Sequence, residues 1–244
     1  LDDLKASLPS VDTVFLVVGW FGDDLRCGSC TIRPKVEVAN KITTPDAWMV
    51  HGLARSGALV MSLSSGKPAY GGTPSDDTVV RAVRDLKARG YAVVFYPFVF
   101  MDVPAGNALP NPYGGTSQPV YPWRGRITCH PAAGQSGTVD KTATAGTQVA
   151  AFFGACLASH VTVSVNASTD AVTTSYSGPA EWGLRRFILH YAKLCSAVNA
   201  IDAGTIDAFL IGSEFRALCS VRDSATNFPA VARLKTLAAD VKGI

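Results

Sequence analysis

The sequence predicts an α/β fold organised on parallel strands, either a barrel or a doubly wound sheet, and three observations lead there. Two uninterrupted apolar runs rich in β-formers, Thr13–Trp20 (TVFLVVGW) and Tyr91–Met101 (YAVVFYPFVFM), have the pattern of strands buried on both faces. Between them, Val79, Val80, Val83 and Leu86 recur at helical spacing, which makes a β-α-β unit with a right-handed crossover. A third apolar run, Ile206–Gly212 (IDAFLIG), stands between two further helical stretches, so strands and helices alternate as α/β folds require.

The elements follow in order. Phe21–Pro45 is polar and contains glycine, and predicts a loop with a short hairpin. Ala58–Leu63 is a second, short strand candidate. Ser75 is placed to cap a helix, Asp76 and Asp77 suit its positive end, and Gly90 stops it. Val103–Asp140 is long and rich in Pro, Gly and Asn; Tyr113, Tyr121 and Trp123 punctuate it and predict an ordered loop packed on the body. Lys141–Leu157 predicts a helix with Val149, Phe152, Phe153 and Cys156 inward. Val161–Tyr176 alternates about a turn near Ser168–Asp170, a β-hairpin. Pro179 and Glu181 suit the first turn of the next helix, whose apolar stripe is Leu184, Phe187, Ile188, Tyr191, Leu194, Cys195 and Val198. Phe228–Val241 predicts the last helix. There is no internal repeat. A complete barrel has eight strands and takes about 250 residues without large insertions. With roughly four inner strands and loops this long, 1–244 is expected to be a single partial domain, both ends being cuts in a longer chain.

Composition excludes several classes. With 48% hydrophobic and 17% charged residues, the chain has material for a core and is not disordered. The net charge is +3, and the densest basic patch (Arg81, Arg84, Lys87, Arg89) lies in the second half of a predicted helix. A solvated face is expected there, not a nucleic-acid surface. No apolar run reaches the roughly 18 residues of a membrane span, and no secretion signal is visible. Among the six cysteines, Cys156 and Cys195 fall on apolar helix faces. Cys27 and Cys30 form the only close pair, which leaves open free thiols, a local disulfide or half of a metal site. Completing a metal site would take Cys129 and His130, and nothing in the sequence brings them near, so no metal is expected. The absence of a phosphate loop, a Gly-x-Ser-x-Gly elbow and a histidine triad leaves no cofactor predicted.

In a barrel, reactive groups stand at the C-terminal ends of strands. Glu214 follows IDAFLIG, Asp102 ends the run from Tyr91, and Asp23 and Asp24 follow the first strand. Carboxylates so placed suit glycoside hydrolysis, which needs an acid and a nucleophile or base about 5–5.5 Å apart for retention or 6.5–9.5 Å for inversion. Phe215 and nearby tryptophans could supply the apolar surroundings that an acid needs. Aromatic faces also stack on sugar rings, so Trp20 and Trp123 join the candidates. The competing expectation for Glu214 is an ion pair with Arg216 or Arg185.

Taken together, GWFGDDLRCG, VHGLARS, PAYGGTPSD, LKARGYAVVFYPFVFMD, NPYGGTSQPVYPWRGRITC, DKTATAGTQVAAFFG, SGPAEWGLRRFILHYAKLC and DAFLIGSEFRAL resemble the TIM-barrel-like domain of gene transfer agent and phage tail proteins, often labelled host specificity proteins. The resemblance runs from about Leu8 to Lys242. It implies the first half or so of a (β/α)8, TIM-barrel-like, glycosidase-related barrel with long loop and hairpin insertions, inside a tail-tip or baseplate hub. It further implies a virion tail component assembled in the bacterial cytoplasm, with other tail and baseplate proteins and envelope glycan as partners. In related glycosidases the acid/base follows the fourth strand, usually as Asn-Glu; Gly212-Ser213-Glu214 takes that place, with Ser213 where Asn is usual. The nucleophile of that clan follows the seventh strand, past Ile244. Two functions follow from the resemblance. One is a glycan hydrolase with Glu214 as general acid/base and Asp102, Trp20, Trp123 and Asp23 lining the groove. The other is an inactive structural or receptor-binding module.

Overall fold

The computed structural model describes residues 1–244. In chain order its elements are α1 Asp2–Ser7, β1 Thr13–Gly22, β2 Ile32–Arg33, β3 Lys35–Val36, β4 Met49–Val50, β5 Leu53–Ala54, β6 Leu59–Val60, β7 Leu63–Ser64, β8 Lys67–Pro68, α2 Asp76–Ala88, β9 Ala92–Met101, α3 Ala143–Phe153, β10 Val161–Val165, β11 Val172–Tyr176, α4 Leu184–Ile201, β12 Ala208–Phe209, α5 Arg216–Ser220 and α6 Pro229–Lys242. The central sheet has the order β12-β9-β1-β2. β1 and β9 run parallel over their whole length, from Thr13 beside Ala92 to Gly22 beside Met101, and β12 adds a second parallel neighbour to β9. β2 folds back antiparallel on the end of β1, the short hairpin expected after the first strand. With α2 joining β1 to β9, the predicted β-α-β unit is present. This mixed α/β architecture fits a partial TIM-barrel-like fold. No helix is long and apolar enough to cross a membrane.

Alternation along the strands gives the sheet two unlike faces. Val18 and Trp20 of β1 and Val93, Phe95 and Val99 of β9 are buried against the helices. Trp20 stacks on Phe187 of α4, and Phe95 lies against Tyr191. On the other face, register sets Phe15, Val17, Gly19 and Phe21 beside Val94, Tyr96, Phe98 and Phe100. Phe15 is 57% exposed there. Burial on both faces, expected for all of Thr13–Trp20, therefore holds only from Val18 onward.

The helix-covered face also holds a buried polar network. Ser75 caps α2 as expected, its Oγ accepting from the Thr78 N–H at 3.3 Å. Asp76 and Asp77, anticipated as dipole partners, also reach far along the chain. Asp76 accepts from the His51 N–H at 2.8 Å and pairs with His190 at 2.9 Å, while Asp77 accepts from the Val172 N–H at 2.6 Å. His51 Nε2 accepts from Arg186 Nε at 2.9 Å, which requires the neutral ring. Burial, with His190 and Arg186 nearby, pushes the His51 imidazole down to about 2.

Several details depart from expectation, each through tertiary contacts. In Ala58–Leu63 only Leu59–Val60 pairs with Lys35–Val36, outside the central sheet, while Leu63 begins a separate turn of strand. The helix expected from Pro179 begins at Leu184. Glu181 instead accepts from the Ala155 N–H beyond α3, and Gly183 packs where a Cβ would lie 2.7 Å from the Phe153 carbonyl oxygen. Cys156 is buried but lies past the end of α3. The basic residues of α2 and the Arg89 that follows it face solvent as expected, and surface ion pairs engage each of them. Arg81 pairs with Asp46, Arg84 with Asp170 and Asp202, Lys87 with Asp207, and Arg89 with Asp2 and Asp85. Cys27 and Cys30 are buried free thiols, and burial pushes Cys27 up to about 12 and Cys30 higher still.

Candidate active site on the open sheet face

The run IDAFLIG keeps only two ladder residues, extended by the Asp207 N–H to the Val93 carbonyl and the Leu210 N–H to that of Phe95, each at 3.0 Å. The chain then leaves the sheet. Gly212 takes φ +147°, where a Cβ would come within 2.9 Å of the Phe215 ring. Glu214 takes φ +58°. Left-handed backbone costs a residue with a Cβ about 1–2 kcal/mol, so its surroundings must impose it.

Arg124 supplies much of that constraint. Its Nε donates to the Ser213 carbonyl at 3.1 Å and its Nη2 to Ser213 Oγ at 2.9 Å, while the Tyr96 hydroxyl also donates to Ser213 Oγ. The guanidinium lies 3.5 Å above the Phe98 ring, a cation–π contact on β9. Burial pushes Arg124 below its ordinary value, and Glu214 opposes that shift. Glu214 Oε2 accepts from Trp123 Nε1 and stands 3.1 Å from Arg124 Nη2. The Glu214 side chain is 50% exposed, against 5% for Arg124. Trp123 is itself 47% exposed, and its indole folds over Gly125, where a Cβ would meet the ring at 2.4 Å.

From Arg124 an aromatic floor runs across the sheet. Tyr96 and Phe98 have ring centroids 5.5 Å apart, Phe98 and Phe100 4.5 Å, Phe100 and Tyr70 5.4 Å, and Tyr70 and Tyr121 5.8 Å. Gly19 makes room for it, since a Cβ there would meet the Phe100 ring at 2.5 Å. Beyond Phe100, at the end of β9, lies Asp102. Lys35 Nζ donates to its Oδ2 at 2.6 Å, Ser62 Oγ to its Oδ1, and the Ser62 N–H to Oδ2 at 3.2 Å. Ser62 Oγ is in turn 3.1 Å from the Tyr121 hydroxyl.

The candidates from sequence thus separate. Glu214 and Trp123 come together in one hydrogen bond. Asp102 is buried in an ion pair with buried Lys35, so it braces the end of the floor and does not line a groove. Trp20 is corrected: it is fully buried, its indole donating to the Tyr191 hydroxyl at 3.1 Å, because its place in the alternation turns it toward α4. Asp23 accepts from the Thr31 N–H at 2.7 Å and the Thr31 hydroxyl at 2.6 Å, closing the loop between β1 and β2. Asp24 holds Arg26 and Gln118. The cation beside Glu214 is Arg124; Arg185 pairs with Asp240. Sequence reasoning missed Arg124, Tyr96, Phe98 and Tyr70. The period-2 alternation of YAVVFYPFVFM could have put Tyr96, Phe98 and Phe100 on one face; nothing local marked Arg124 or Tyr70.

No curated protein matches the chain. Residues 182–244, which hold α4, β12, Glu214 and α6, match the model of the GTA TIM-barrel-like domain. The resemblance read from the sequence is thereby borne out over the stretch that carries the candidate carboxylate, and that stretch is similar to the barrel domain of gene transfer agents.

Proposed function

We propose that the chain is a glycosidase-like barrel domain of a tail-tip or baseplate hub in a gene-transfer-agent or phage-type particle, acting on bacterial envelope glycan with Glu214 as general acid/base. The observation that carries this reading is a half-exposed carboxylate held by Trp123 and Arg124 at the end of an aromatic floor, beyond the C-terminal end of a parallel strand. Both donors engage Oε2, leaving Oε1 without a protein partner and able to pass a proton to a glycosidic oxygen. The aromatic floor offers ring faces to the C–H faces of sugars. The test is reducing-end release from envelope glycan. The protein is expected to release product, and Glu214→Gln to lose at least about 100-fold in rate. Equal release by the two sinks the assignment.

A second reading, a receptor-binding module that does not cleave, is favoured by one observation: two of the carboxylates beyond the strand ends, Glu214 and Asp102, are engaged by cations. Glycan binding without product, unchanged in Glu214→Gln, would select it.

A further inference from the structure

We infer that the glycan taken by this face is anionic, its carboxylate or phosphate bound by Arg124. The inference rests on the reading of the face as a sugar site. A guanidinium has five N–H donors in a planar fork suited to an oxyanion. In Arg124, Nε and Nη2 are spent on Ser213, and Nη2 also faces Glu214. Nη1 makes no hydrogen bond within the protein and keeps a small contact with solvent, although the side chain as a whole is only 5% exposed. The contact with Glu214 is a single oxygen at 3.1 Å, and that oxygen is shared with Trp123. A paired fork of the kind arginine makes with a committed carboxylate is not formed. The cation is therefore largely withdrawn from water, locked in place by Ser213 and Phe98, and faced by a single, half-exposed carboxylate. A neutral sugar would leave Nη1 with a hydroxyl or water. An acidic sugar lying on Phe98 and Phe100 would bring it an oxyanion, and charge-assisted hydrogen bonds are about twice as strong as neutral ones. The placement beside exposed Trp123 puts this anion site at the same end of the floor as Glu214.

The test is calorimetric titration of the protein with maltotetraose, tetragalacturonate and phosphorylated maltotetraose, at low and at high sodium chloride. One or both anionic sugars are expected to bind about tenfold more tightly than maltotetraose at low salt, and to lose that margin at high salt. Whichever anion leads identifies the group. Arg124→Gln should abolish the preference of anionic over neutral sugar, read as the ratio of the two affinities within that variant. Arg124→Lys keeps a cation over Phe98 but lacks the fork, and should retain only part of the preference. The wild-type salt series needs no variant to fold. Equal affinity for neutral and anionic sugars overturns the anionic assignment and leaves the sugar site standing; so does a preference that survives Arg124→Gln in a folded variant. Binding of none of the three overturns the sugar site itself, and this inference with it.

Discussion

The two faces of the central sheet come from the same alternating strands and end in opposite conditions. Toward the helices, Val18, Trp20, Val93 and Phe95 are sealed by Phe187, Tyr191 and their neighbours, and the Trp20 indole, His51 Nε2 and His190 Nε2 find partners within the protein. On the other side, Phe15, Tyr96, Phe98 and Phe100 make an apolar surface that no helix layer covers fully, with Trp123, Arg124 and Glu214 at one end. One face is covered by helices within residues 1–244; the other is the face that a barrel turns inward, with a carboxylate and a cation beyond the end of one of its strands.

The largest expected contrast is between Trp20 and Phe15. Trp20→Ala removes a fully buried indole and should cost about 3–5 kcal/mol in chemical denaturation, whereas Phe15→Ala should cost less than about 1 kcal/mol. Similar losses at both would mean the second face is a core.

Next is acid sensitivity of the helix-covered face. His51 is held neutral in the folded protein, at about 2, while the unfolded residue binds a proton below about 6.5. The unfolded state thus takes up the proton first as pH falls. Stability contributed by the neutral ring is complete above about 6.5 and declines below it, by up to about 1.4 kcal/mol per pH unit. Between pH 6.5 and 5, ahead of most carboxylate titration, urea midpoints should fall in the wild type and fall less in His51→Gln. Parallel declines would remove His51 as the cause.

A smaller effect, of opposite sign, is expected at Glu214. Glycine is at ease at φ +58°, so Glu214→Gly should gain up to about 1 kcal/mol while abolishing any activity of the site. Glu214→Gln keeps the Cβ and should stay within about 0.5 kcal/mol of wild type. A destabilised Glu214→Gly would show that the carboxylate's contacts outweigh its backbone strain.

A loss of similar size is expected at the exposed rim. Gly125→Ala pushes on the half-exposed Trp123 ring, which can swing outward only by giving up its hydrogen bond to Glu214, so stability should fall by about 1 kcal/mol while tryptophan emission and sugar affinity change. Unaltered emission would mean that the indole does not rest on Gly125.

Much of the scaffold was legible because its signals are local. β1, β9, α2 with its Ser75 cap, the hairpin of β10 and β11, and the apolar stripe of α4 all appear where periodicity and capping place them. The candidate site was legible by half. Glu214 follows a parallel strand as expected, but Trp20 was misassigned because a continuous apolar run does not announce which of its positions meets a helix. Arg124 was missed because a charged residue in a long loop has no periodicity to betray its destination.

What the sequence determined by itself is therefore the succession of strands and helices and the position of Glu214 beyond one strand's end, since hydrophobic period, caps and breakers act within a few residues. Tertiary structure alone decided which sheet face the helices cover, that the α2 cations are paired, that α4 begins at Leu184, and that Glu214 meets Trp123 across 91 positions of chain. Those outcomes depend on groups distant in sequence competing for the same space and the same hydrogen bonds, a competition that no short window of residues contains.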